Sequence, residues 1–99
     1  MSRGYRAMFV LLHTYRVRNG CRTLREMISR YAPPTENHTE NYIRAVATQA
    51  QVSPDEALDT RNGNTMIPIV AAMSRVENGT PAQMDEVRAG WDLFVKYPV

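Results

Sequence analysis

Cysteine is nearly absent from this sequence: Cys21 stands alone among 99 residues. A single thiol cannot close an internal disulfide or supply a thiolate-rich zinc site, which suits a reducing compartment or a protein indifferent to redox. Histidine is almost as scarce. His13 and His38 are isolated from each other in the chain, so neither a histidine metal cluster nor any other cofactor is expected. Long apolar runs are missing too. The best, Ala7 to Leu12, is broken by His13, Tyr15 and Arg16, far short of the roughly 20 residues of a membrane helix. No small-residue cleavage site follows it, as a signal peptide would require. Membrane insertion is therefore not expected, and synthesis in the cytoplasm is. The chain also lacks GxSxG, a Gly-rich phosphate loop, HExxH and paired cysteines, which removes the common catalytic constellations. Alternating strand patterns, internal repeats and low-complexity tracts do not occur.

What is present is helical periodicity. Tyr5, Met8, Phe9, Leu12 and then Tyr15 or Arg16 recur at one-face spacing and predict a helix over 4–17, ended by Asn19-Gly20. His13 is expected to be a partly exposed residue of that helix. Thr23 and Glu26 form a capping box for a second helix, with Leu24, Met27, Ile28 and Tyr31 as its apolar stripe and Pro33 as its stop. A third helix is expected from Asn37, paired with Glu40, with Thr39 as a competing cap; Tyr42, Ile43, Val46, Ala47 and Ala50 would be buried. Ser53-Pro54-Asp55-Glu56 reads as one short helical turn ending near Leu58-Asp59. Thr65 is the expected cap of the next helix, with Pro68 in its first turn and Met66, Ile69, Val70, Met73 and Val76 inside. Thr80-Pro81-Ala82-Gln83 opens the last, with Met84, Val87, Trp91, Phe94 and Val95 as core and Pro98 as stop. The expectation is one all-α domain over 1–99, a compact irregular bundle of five main helices and one short turn.

Charge is distributed unevenly. Residues 1–31 hold seven arginines against Glu26, a net of +6, and the remainder holds five basic against nine acidic residues, a net of −4. Eleven of the twelve basic residues are arginine, the side chain that forks onto carboxylate or phosphate. The alternatives are a basic face for nucleic acid or an acidic partner, or a solvated surface paired with the acidic half. The second is favoured because no aromatic residues interleave the arginines as a stacking platform. A helix-turn-helix is disfavoured: the proline connector is too long for that turn, and the third helix carries only Arg44 for base or phosphate contact.

Two carboxylates are candidate catalytic groups, should the chain be an enzyme. Glu36 precedes a helix start on a proline-stiffened connector, where the dipole favours ionisation. Glu77 sits in the last turn of a helix, where the dipole favours protonation. Such a split pair is what glycoside hydrolysis uses. Asn37, Thr39 and Tyr42 are the candidate binding groups. Otherwise Glu36 and Glu77 are surface residues at helix ends. Cys21 is expected to be structural.

The runs Gly4-Tyr5-Arg6-Ala7-Met8, Tyr31-Ala32-Pro33-Pro34-Thr35-Glu36-Asn37-His38-Thr39-Glu40-Asn41-Tyr42-Ile43, Ser53-Pro54-Asp55-Glu56-Ala57-Leu58-Asp59 and Glu77-Asn78-Gly79 together resemble a family of small phage and prophage virion structural proteins. Its pattern is G-I-R-A-M, then W-A-P-P-S-E-N-x-T-x-x-Y-I, a D-P-x-x-P/A-L-D segment and E-N-G. The resemblance covers roughly residues 3–80. Tyr31 replaces the family's tryptophan, Thr35 its serine and Val76 a frequent histidine, and the usual upstream N-N-P-G-N-I-R-type segment is missing. The resemblance implies a virion-associated structural or interaction domain whose partners are other virion proteins. Such proteins occur near cell-wall-degrading functions, and the helical layout is similar to lysozyme-like domains. The alternative is therefore a peptidoglycan-binding or -cleaving domain, with Glu36 or Glu77 as acid and Asn37, Thr39 and Tyr42 lining the sugar groove.

Overall fold

A computed structural model describes residues 2–34 and 38–97, with side chains from Gly4 onward. Five helices follow one another: α1 (Ser2–Arg18), α2 (Leu24–Tyr31), α3 (Thr39–Ala50), α4 (Gly63–Asn78) and α5 (Met84–Lys96). Among the described residues the only extended pairing is an isolated bridge between Thr23 and Ala57. The result is an all-α bundle with a Cα radius of gyration of 12.3 Å.

The apolar stripes close on one core. α1 packs chiefly on α5, and α3 on α4. Phe9 and Leu12 of α1, Met27 and Ile28 of α2, Ile43 and Val46 of α3, Ile69 and Met73 of α4, and Val87 of α5 are all essentially inaccessible to water. Each such side chain contributes about 1.5–3 kcal/mol by leaving water. An aromatic cluster joins α1 to α5, with Phe9 edge-on to Trp91 at 5.0 Å and Trp91 tilted against Phe94 at 5.2 Å. Trp91 lies hard against Gly63, the first residue of α4; a Cβ there would meet the indole Nε1 at 2.8 Å. Cys21 is buried.

Local signals and tertiary demands part at several helix ends. The Thr23 capping box forms in full: the Glu26 amide donates to Thr23 Oγ1, and the Thr23 amide donates to the Glu26 carboxylate. α3 starts later than expected. His38 occupies the cap position without a side-chain bond, and Asn37, the expected cap, lies outside the described residues. Thr39 does not cap either, because its hydroxyl donates to the Ala32 carbonyl at 2.5 Å, pinning the end of α2 to the start of α3. Glu40 turns outward to Arg25, whose guanidinium also holds Asp55. The Ser53 segment is a turn and not a helical turn: the Asp55 amide bonds the Ser53 hydroxyl, and the 57–58 backbone pairs instead with the α1–α2 turn.

α4 begins before Thr65. Asn62 caps it by accepting from the Asn64 amide at 3.0 Å, which moves Pro68 into the second turn, where it cannot donate to the Asn64 carbonyl. α5 begins at Met84 with no side-chain cap, so Thr80-Pro81 precedes the helix and does not open it. Val76 and Met84 stand at 37% and 36% exposure, and Val95 at 61%. All three were expected inside. They lie near helix ends. Pro98 lies outside the described residues.

Candidate functional site

Three segments singled out in the sequence meet at one corner. Near the start of α1, the Tyr5 hydroxyl is 3.0 Å from the Ser74 hydroxyl of α4, which also accepts from the Asn78 side-chain amide at 3.2 Å. One turn further along α4, Glu77 accepts from the Tyr31 phenol of α2 at 2.7 Å. Tyr31 in turn stands edge-on to Tyr42 of α3, with ring centroids 6.3 Å apart. Tyr5, Met8, Val70, Ser74, Glu77 and Asn78 border a surface cavity of about 230 Å³. Helix periodicity explains the grouping: Ser74 and Asn78 are four apart, with Glu77 beside them at the C-terminal end of α4, where Gly79 in left-handed geometry (φ 74°) ends the helix.

The corner is a polar wall. Burial, then the hydrogen bond to Glu77, pushes the Tyr31 phenol above its usual range. Burial, then the charge of Glu77, does the same to Tyr42. Both phenols are neutral at physiological pH. The Tyr42 hydroxyl is buried with no hydrogen-bond partner among the described residues.

The five sequence-derived site residues separate. Glu77 and Tyr42 belong to this corner. Thr39 is buried, and its hydroxyl is spent on the Ala32 carbonyl. Glu36 and Asn37 lie outside the described residues, so the paired-carboxylate geometry is not part of the described surface. Among the described residues, no three metal-ligating side chains converge.

A second site escaped the sequence. His13 is buried at 8% exposure, and its Nδ1 lies 2.7 Å from the Thr60 hydroxyl, itself 4% exposed. The expectation of a partly exposed His13 is thus corrected. The signal was present: His13 follows Phe9 by four residues, on the face that meets α5, where its ring stands 5.6 Å from Phe94. Burial lowers its pKa below the ordinary value, nearby Arg61 lowers it further, and Asp59 opposes both. Arg16 donates to the Leu58 carbonyl at 3.3 Å and, with His13, Thr60 and Arg61, lines a groove about 470 Å³ in volume.

In sequence, the chain is similar to a phage protein. The relative is protein P5 of Pseudoalteromonas phage PM2, 37% identical over 90 residues, a match covering 90% of this chain and 54% of that protein. The chain thus spans about half the length of the curated relative it matches. No protein-family model matches the chain. No solved structure matches it. The kinship to a phage protein is in line with the resemblance read from the sequence, although it does not bear on the particular A-P-P-T-E-N motif. It lends no support to the lysozyme-like alternative. No described helix is long and apolar enough to cross a membrane.

Proposed function

We propose that this chain is a phage-derived, virion-associated structural or interaction domain. The observation that carries the proposal is the 37% identity to protein P5 of phage PM2 across nine-tenths of the chain. The geometry supports a module that presents surfaces. The polar groups of the phenol–carboxylate corner are largely satisfied by one another across α1, α2 and α4, so they fix the relative placement of three helices. No hydrolytic role is proposed, because Glu77, the candidate acid among the described residues, is an exposed acceptor for Tyr31. The test is made in a culture producing the phage or prophage that encodes the chain. Particles are purified by density gradient and probed with an antibody to the chain. It should co-sediment with particles and resist removal by a high-salt wash. Recovery only at the top of the gradient would refute virion association.

A further inference from the structure

The arginine excess of the first third is only partly neutralised by the fold. Described ion pairs gather on Arg25, which holds Glu40 and Asp55 at 2.7 and 2.8 Å. Arg16, Arg22 and Arg61 form none among the described residues. Backbone pairing brings these three to one edge of the molecule. The Leu58 amide donates to the Arg22 carbonyl at 2.8 Å, Ala57 bridges to Thr23, and Arg16 reaches the Leu58 carbonyl. The connector 57–61 therefore lies along the end of α1, with a groove of about 470 Å³ whose floor is the His13–Thr60 pair. Arg61 also walls a second recess of about 180 Å³, formed with Trp91, Phe94 and Val95. The outer edges are apolar, with Val17 and Val95 each 61% exposed.

We propose that this double recess is the docking site for an acidic peptide segment of a partner protein. An apolar side chain of that segment enters the Trp91 recess, and neighbouring carboxylates fork onto Arg61 and Arg16. The proposal rests on the interaction-module reading above and supplies the chemistry of the partner. Charge complementarity carries it: Arg16 and Arg61 outnumber Asp59 in the groove lining and form no described ion pair, guanidinium groups favour carboxylates in bidentate geometry, and an apolar recess bordered by Arg61 is the form of an anchor pocket with a polar rim. A nucleic acid fits less well. The groove that holds Arg16 and Arg61 is lined by no aromatic ring except the buried His13 imidazole, so it offers no stacking platform for bases.

The test records amide and indole NMR signals of the whole chain during titration with a synthetic peptide alternating leucine and glutamate. The leucine–glutamine counterpart and a single-stranded oligothymidylate are titrated in parallel. The acidic peptide should move the Arg16, Thr60 and Arg61 amides and the Trp91 indole N–H. The glutamine peptide should bind at least roughly tenfold more weakly. Arg61→Gln removes a side chain that makes no described protein hydrogen bond, so it should melt like the parent chain while losing the response. Equal binding of both peptides, absence of these shifts, or an unchanged response in Arg61→Gln would overturn the proposal. Stronger movement of the same signals by the oligothymidylate would overturn it in favour of nucleic acid. The titration and the particle experiment fail independently. Peptide binding by a chain absent from particles refutes the virion assignment alone, and particle association without peptide binding refutes this docking site alone.

Discussion

Thr60→Val tests whether the His13–Thr60 pair holds the 57–61 connector to α1. Valine conserves the volume of threonine but removes the only protein hydrogen bond described for the His13 ring, at a site where both residues are under 10% exposed. Leaving a buried imidazole nitrogen unpaired costs about 1–3 kcal/mol. In a domain of this size each kcal/mol shifts the melting temperature by about 4–8 °C, so the expected fall is roughly 5–20 °C by circular dichroism at neutral pH. Thr60→Ser is the control. It keeps the hydroxyl and loses one methyl, about 0.8 kcal/mol of burial, and should melt above Thr60→Val. The pH dependence has a definite sign. Burial lowers the His13 pKa below its ordinary 6.5, so as pH falls the unfolded chain takes up the proton first. The contribution of His13 to stability is fully present above about pH 6.5 and is lost progressively below it. The parent chain should therefore lose melting temperature between about pH 7.5 and 5.5 while Arg25, held up by its two carboxylates, and Asp55, held down by Arg25, keep their charges. If the valine variant melts at or above the serine variant, the hydrogen bond contributes nothing and the reasoning fails.

Gly63→Ala would place a Cβ 2.8 and 2.9 Å from Trp91 Nε1 and Cε2; the indole must move, at a cost of about 1–3 kcal/mol, and a red-shifted Trp91 fluorescence maximum should accompany the lower melting temperature. Asn62→Ala should destabilise by about 1 kcal/mol through loss of the α4 cap, whereas Thr65→Ala, at the position the sequence favours as cap, should cost clearly less in the same urea titration. Tyr42→Phe removes a buried hydroxyl that has no partner among the described residues. It should raise stability by about 1–2 kcal/mol at unchanged denaturant slope, and a loss of stability would show that the hydroxyl is satisfied in solution.

How far the fold could be read depended on the range of the interaction that decided each element. The Thr23–Glu26 box is closed within four residues, so its residues were sufficient to place the start of α2. At α3 the deciding bond runs from Thr39 back to the Ala32 carbonyl. It competes with the capping role that threonine would otherwise take, and nothing local announces it. Thr80-Pro81 shows the same limit from the other side: the capping pattern is intact in the sequence, yet the helix begins at Met84. The stripes were sound in the middle of each helix and unreliable towards the ends, where Val76 and Val95 keep the right spacing but are exposed.

The functional surfaces divide along the same line. The phenol–carboxylate corner was partly visible, because Tyr42 and Glu77 fall within recognisable segments, but their meeting through Tyr31 depends on how α2, α3 and α4 pack. The groove beside His13 depends on a connector that resembles a helical turn in sequence and is drawn instead into backbone pairing with Arg22 and Thr23. That pairing is what sets Arg61 next to Arg16, at 45 positions' separation in a chain read in order. A composition count registers the excess of arginine, but only the folded connector shows which guanidinium groups form no ion pair among the described residues. Three of the arginines behind the +6 charge of residues 1–31 show the division. Arg25 is consumed in holding α2 to the acidic connector and to α3, and Arg16 and Arg22 are left facing outward with Arg61, where a partner's acidic side chains can complete them.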